Sequence, residues 1–229
     1  MTLENRVVII SGATGVTGQL AAQTFADRGA SLVLLGSDQS KLDELTRSLA
    51  LPEERVLPFA ADLTVSTAVF DAAAAVQAKF GRANVLLHLV GGWTGGKTLV
   101  ETPLEDMRSM IDQHLWTTFH MTQAFLPQLT ANDWGRVIII SSPYATRPSA
   151  KMGAYAIGKA AEETLLLTLA QEAKDNGVTA NILQVSSIDV KNTGKGTPPN
   201  ELVAAMIYLC SDEAAKINGT RIPLTGGVA

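Results

Sequence analysis

Three side chains in the stretch SPYATRPSAKMGAYAIGK, residues 142–159, have the types and spacing to move a proton to or from an oxygen. Tyr155 follows Ser142 by thirteen residues, and Lys159 follows Tyr155 by four. A helix beginning after Pro148 sets Tyr155 and Lys159 one turn apart on one face. Ser142 closes the β-branched run Val137-Ile138-Ile139-Ile140, which predicts a buried strand. A strand end facing a helix would bring a hydroxyl, a phenol and an ammonium together. A phenol ionises near ~10, and a lysine cation beside it favours the phenolate and draws that ionisation toward neutrality. A tyrosine so placed is a general acid or base, and a serine hydroxyl can hold the reacting oxygen. Tyr-x-x-x-Lys alone is a weak pattern, but of the three tyrosines only Tyr155 has it: Tyr144 meets Pro148 at that offset and Tyr208 meets Asp212.

The elements that must position these groups are legible from one end of the chain to the other. Short β-branched runs near 6–11, 31–35, 55–60, 84–90, 135–141, 178–185 and 221–225 alternate with helical patterns near 16–29, 38–50, 66–80, 103–130, 152–176 and 199–211. That alternation predicts an α/β fold: one doubly wound, Rossmann-type parallel sheet of about seven strands with helices on both faces. No linker or composition shift interrupts it, so residues 1–229 read as a single domain. Hydrophobic residues make up 46% of the chain, enough for a sizeable core. A net charge of −4 argues against a nucleic-acid or anionic-membrane surface. Cys210 is the only cysteine, so no intrachain disulfide forms, which fits a reducing cytoplasm. Neither a signal peptide nor a membrane-spanning run is expected. His88, His114 and His120 have no metal-ligand spacing.

The first strand runs into Ser11-Gly12-Ala13-Thr14-Gly15-Val16-Thr17-Gly18, and a helix follows at once. Glycines there permit a tight turn, close approach to a pyrophosphate and tight packing of helix on strand. The helix N-terminus offers free N–H groups to phosphates. In this position the loop predicts dinucleotide binding. The second strand ends in Leu34-Leu35-Gly36-Ser37-Asp38. An acidic residue at that tip would bind the ribose diol of NAD, whereas a small one admits a 2′-phosphate. Gly36 holds the tip and Ser37 can donate to a phosphate, so the sequence leans to NADP while leaving NAD open. After the third strand, in Ala61-Asp62-Leu63, Asp62 is open between a bond to the adenine amino group and a helix N-cap.

With the glycine loop, Asp62, Ser142, Tyr155 and Lys159 in this order, the chain resembles the short-chain dehydrogenase/reductase family from about residue 6 to 227. Later segments add to the likeness: Gly135-Arg136-Val137-Ile138, Asn181, Leu209 to Glu213, Asn218-Gly219 and Gly226-Gly227. The resemblance implies that Tyr155 donates the proton and Lys159 binds the nicotinamide ribose while acidifying Tyr155. Ser142 would polarise a substrate carbonyl as hydride passes to or from the nicotinamide. It further implies cofactor contacts at Gly12, Thr14, Gly15, Val16 and Gly18, at Ser37, at Asp62 and Leu63, and at Gly91, Tyr155, Lys159 and Ile188.

The chain departs from the family pattern in several places. Its glycines fall at 12, 15 and 18, a spacing commoner in the extended and atypical branches. His88-Leu89-Val90-Gly91 replaces Asn-Asn-Ala-Gly, and Val185-Ser186 replaces Pro-Gly. His114 stands where the family has an Asn that joins the Lys to a water chain; it is open between a helix contact and a proton relay, since an imidazole exchanges protons near neutral pH. Only about a dozen residues, Asp189 to Asn200, replace the usual substrate-covering lid, so the pocket should be shallow or wide, with residues 91–99 forming much of its wall. That short lid and the run Gly91-Gly92-Trp93-Thr94-Gly95-Gly96 are similar, locally, to dihydropteridine reductases. Trp93 is either a stacking platform or a rim residue. His88 and Asn181 read as structural.

These observations together describe an NAD(P)(H)-dependent oxidoreductase that reduces a carbonyl or oxidises the corresponding alcohol. A catalytically decayed nucleotide sensor or scaffold is the alternative, because fold alone does not establish function. The glycine spacing by itself also suggests an epimerase or dehydratase. Phe119, Met121, Phe125 and Leu126 in one long helix, and Leu165, Leu166, Leu167 and Leu169 in the next, are more apolar residues than one sheet face should bury. The resemblance implies a homodimer through these helices, often doubled to a homotetramer.

Overall fold

The computed structural model describes residues 2–225; Met1 and residues 226–229, and with them the Gly226-Gly227 pair, lie outside the described residues. The β-branched runs form β1 (Val7–Ser11), β2 (Ser31–Gly36), β3 (Val56–Ala60), β4 (Val85–His88), β5 (Gly135–Ser141), β6 (Val178–Gln184) and β7 (Arg221–Pro223). All seven join one sheet in the order β3-β2-β1-β4-β5-β6-β7, and every pairing is parallel. The chain winds outward from β1 in one direction and from β4 in the other. The carboxyl ends of β1 and β4 are therefore the switch point at which such sheets open a crevice.

Among the described residues seven α-helices cover the sheet: α1 (Val16–Ala26), α2 (Gln39–Leu49), α3 (Ser66–Phe80), α4 (Leu104–Ile111), α5 (Thr117–Thr130), α6 (Gly153–Glu172) and α7 (Pro199–Leu209). Because strand side chains alternate, each strand feeds two cores. Val8 and Ile10 of β1 pack with Phe25, Leu42 and Met206 under α1, α2 and α7. Val7 and Ile9 pack with Val76, Phe125 and Leu166 under α3, α5 and α6. Burial of both strand faces explains why the runs are continuously apolar. Among the described residues, no helix is long and apolar enough to cross a membrane.

Two expected boundaries differ in an informative way. The helical pattern near 103–130 is continuous, yet its middle, Asp112–Trp116, is a π-helical turn in which the Thr117 N–H bonds back five residues to the Asp112 carbonyl. His114 lies within that turn and is fully buried. The apolar residues of the two long helices are also better buried than expected. Met121, Phe125, Leu166 and Leu169 lie in the core, while Phe119 and Leu165 remain along a groove between α5 and α6.

Candidate active site

At the carboxyl ends of β1 and β4 the backbone turns tightly. Gly12 has φ +68, a left-handed conformation that glycine adopts without strain, and a side chain there would press on the Leu89 carbonyl. Gly18 lies so close to Gly12 and Ala13 that any Cβ would collide with their backbone, which is what seats α1 against β1. Gly15 is the N-cap of α1 and no side chain caps that end. Its first N–H groups are thus left for an external acceptor. This bare, close-packed cradle fits the diphosphate of a dinucleotide. Thr14 lies beside the tip of β2 at Gly36, and the Ala61 N–H bonds to the Gly36 carbonyl, so loop, strand tip and β3 end form one edge.

Three expectations along this edge are refined. Asp38 is the N-cap of α2, accepting from the Lys41 N–H at 3.2 Å, which leaves Ser37 exposed and the strand tip without a carboxylate. Asp62 is not a helix N-cap, a position held by Val65. One of its oxygens accepts from both the N–H and hydroxyl of Thr64, bonds that hold its pKa below the ordinary value, and the other oxygen stays free. Leu63 is buried and its carbonyl receives a ring nitrogen of His120 at 3.0 Å.

The crevice deepens into a cavity of about 160 Å³ that brings together His114, Tyr155, Lys159, Gly91 and Ile188. Tyr155 and Lys159 stand one turn apart at the start of α6, as the four-residue spacing requires. The Lys159 ammonium is buried and donates to the Ile140 carbonyl and to Glu162 Oε2, each at 2.7 Å. The Tyr155 ring meets the His114 ring edge-on, with centroids 5.5 Å apart. Helix α6 can approach this closely because residue 158 is glycine: a Cβ there would lie 2.7 Å from the Met110 carbonyl oxygen and 3.0 Å from His114 Cδ2.

The structure sets a second serine beside Ser142. Strand β5 ends at Ser141, whose buried hydroxyl has no hydrogen-bond partner among the described residues and lines the cavity. Ser142 is the next residue, and its Oγ caps the short turn opened by Pro143, accepting the Tyr144 N–H at 3.4 Å. Two adjacent serines cannot be told apart by spacing alone, and the backbone turns between them. In the sequence reading His114 is a helix contact or a proton relay. It sits in the site, but burial, reinforced by the nearby Lys159 charge, pushes its pKa down to about 3, so the imidazole is neutral across the physiological range. It therefore does not titrate near neutrality.

The remaining wall is Val185 to Ile188, and of residues 188–199 only Ile188 contributes. The connection after it is stitched to itself, with Asp189 collecting the N–H groups of Thr193, Gly194 and Lys195. Of residues 91–99, only Gly91 and Gly92 reach the cavity; Trp93 is 61% exposed and packs over Gly95, a rim position. His88 is structural, bonded to Ser11 and Thr117. Asn181 likewise ties β6 to the 217–220 turn. Sequence reasoning did not single out Ser141, Ser187 or Glu162. Glu162 carried a signal, because it lies three residues after Lys159 on the same helical face.

Comparison with known proteins places this geometry among relatives. A sequence profile described as short chain dehydrogenase matches residues 6–200. A D-beta-hydroxybutyrate dehydrogenase of Rhizobium meliloti is 28% identical, with 97% of this chain and 98% of that protein covered. A meso-2,3-butanediol dehydrogenase of Serratia marcescens is also 28% identical, covering 99% and 96%. Among solved structures, a short chain dehydrogenase from Bacillus anthracis superposes with a TM-score of 0.89 at 26% identity, covering 99% of this chain and 97% of that one.

Proposed function

This chain belongs to the short-chain dehydrogenase family and is an NAD(P)-dependent oxidoreductase, and from that premise we propose that it interconverts a carbonyl and the corresponding alcohol with Tyr155 as general acid and base. The observation that carries this reading is the convergence of Tyr155, Lys159 and an unpartnered serine hydroxyl on one cavity beside the glycine cradle. Relatives named for hydroxybutyrate and butanediol, both secondary alcohols, support the same chemistry. They are catalysts by name, and nothing in them favours a decayed sensor.

When bound, a nicotinamide nucleotide would supply or take the hydride. Each part of the chain would then have a task. Gly12, Thr14, Gly15, Val16 and Gly18 would hold the diphosphate, with Asp62 and Leu63 at the adenine. Gly91 and Ile188 would serve the nicotinamide end. Lys159 would offer its remaining N–H to the nicotinamide ribose. As negative charge builds on the carbonyl oxygen, Tyr155 gives it a proton. A serine hydroxyl holds that oxygen in place: Ser142 has the family spacing, and Ser141 has the free hydroxyl on the wall. Ser141→Ala and Ser142→Ala, compared by kcat, distinguish the two.

The uncharged strand tip at Gly36, with Asp38 occupied at the α2 N-cap, supports NADP(H) over NAD(H). The poorly roofed cavity supports a flat or bulky substrate. The α5/α6 groove, where Leu115, Phe119 and Leu165 remain partly exposed, is proposed as the interface of a homodimer or homotetramer. Monomers by light scattering at micromolar concentration would remove that interface. For the chemistry, a screen of ketones, quinonoid pterins and alcohols with both cofactors, read by nicotinamide absorbance, tests the proposal. Turnover of a carbonyl substrate with NADPH is expected; tight NADPH binding with no turnover across the screen would overturn it.

A further inference from the structure

Below Lys159 lies a carboxylate that the reaction scheme leaves unused. Glu162 is fully buried, one turn along α6. Its Oε2 accepts from the Lys159 ammonium at 2.7 Å and its Oε1 from the Thr118 hydroxyl at 3.3 Å. Burial pushes its pKa above the ordinary carboxylate value, against the pull of Lys159. An ammonium has three N–H groups. Two are fixed, by Glu162 and by the Ile140 carbonyl, so the third is left for the cavity that Lys159 lines.

The surroundings leave Glu162 as the counter-charge of Lys159. His114 Nε2 faces the Gly92 carbonyl at 3.0 Å, and a carbonyl only accepts, so the ring proton sits on Nε2. Its Nδ1 then presents a lone pair toward Glu162 Oε2, 3.9 Å away, and has no hydrogen-bond partner among the described residues. Two lone pairs facing each other offer no attraction, so the protons of Lys159 are what this cluster is built around. Glu163, next on α6, is held by Arg221 of β7 and Gln184 of β6. His88 on β4 is buried with its pKa pushed down to about 3, so it brings no charge. An isolated ammonium at this depth would shed its proton to escape the cost of desolvation.

We propose that Glu162 is a positioning residue for Lys159: its carboxylate keeps the ammonium charged in a dry site and turns the third N–H toward the cavity, where the nicotinamide ribose and Tyr155 meet it. This rests on the functional reading above. A plain packing or stability role for the ion pair predicts no dependence of cofactor binding on pH through this residue.

The test is Glu162→Gln, which keeps the volume and a neutral acceptor but removes the charge. NADPH affinity, measured by fluorescence titration without turnover, is expected to stay within about threefold of wild type at pH 6.5. As pH rises, binding should fail about one to three pH units earlier than in wild type, the usual effect of removing a neighbouring opposite charge. Glu162→Asp, which retains the charge, should restore the wild-type curve. Parallel curves for wild type and Glu162→Gln, even with uniformly weaker binding, would overturn the proposal. Should Glu162→Gln fail to fold, the Tm of the double variant against Lys159→Met decides. Lys159→Met alone strands a buried carboxylate and should lower Tm sharply, and Glu162→Gln added to it should recover much of that loss. A double variant no more stable than Lys159→Met would overturn the pairing. A wild type that binds neither nucleotide would strike the functional reading itself, whereas binding with parallel curves strikes only the role of Glu162.

Discussion

Replacing Gly158 by alanine tests whether α6 must touch the π-helical turn to place the site. The new methyl would lie 2.7 Å from the Met110 carbonyl oxygen, 3.2 Å from its carbon and 3.0 Å from His114 Cδ2. Two of these neighbours are backbone, so neither swings aside, and the helices must separate by several tenths of an ångström. Overpacking of this kind costs about 1–3 kcal/mol. Alanine returns about 0.8–1.0 kcal/mol through its better helix propensity. A net loss of about 1 kcal/mol in a chain of this size lowers Tm by about 2–4 °C. Activity should suffer more than stability, because Tyr155 and Lys159 ride on the displaced helix. A misplacement approaching 1 Å costs up to about 100-fold in rate. Thermal unfolding and kcat on one preparation give the answer. A Gly158→Ala protein with raised Tm and unchanged kcat would refute the close packing and its role in holding the site.

Further outcomes follow from cofactor choice and from the buried imidazoles. Gly36→Asp should make NADH bind more tightly than NADPH, reversing the wild-type order in a fluorescence titration; a wild type that already prefers NADH would show that Asp38 leaves its cap to reach the ribose. His88 and His114 are both held at about 3 by burial. In the unfolded chain they ionise near ~6.5, so between those values the unfolded state binds more protons. Their contribution to stability is complete above about pH 6.5 and is lost as pH falls toward the folded value. Urea unfolding should therefore show a loss of about 1.4 kcal/mol per histidine between pH 7.5 and 5.5. Stability that stays flat over that range would place these rings in water.

Much of the fold was legible because parallel strands buried on both faces need continuous apolar runs, and Val137 to Ile140 or Val7 to Ile10 provide them. The glycine cradle and the Tyr155–Lys159 pair were legible for a similar reason: their geometry depends on local spacing within one turn or one helix. What escaped depends on long-range contacts. The π-helical turn packs His114 against the Gly92 carbonyl and into the gap at Gly158, neither of which leaves a periodic signature. The choice between Ser141 and Ser142 turns on where β5 stops pairing with β6, and that last pair is Ser141 with Gln184. The rim position of Trp93 depends on its packing over Gly95. The i,i+3 spacing from Lys159 pairs Glu162 with it on one helical face, but only the packing of α6 against Thr118 and Ile140 makes that pair buried.

The central claim is that Tyr155 supplies the proton, and Tyr155→Phe measures it most directly. NADPH affinity and kcat would be determined for wild type and variant with a carbonyl substrate found in the screen. The ring and its edge-on contact with His114 survive the substitution, so affinity should stay within a few-fold of wild type. Turnover should fall by about 10²–10⁴-fold, the usual worth of general-acid assistance. A Tyr155→Phe protein that binds NADPH and reduces the substrate at the wild-type rate would contradict the account.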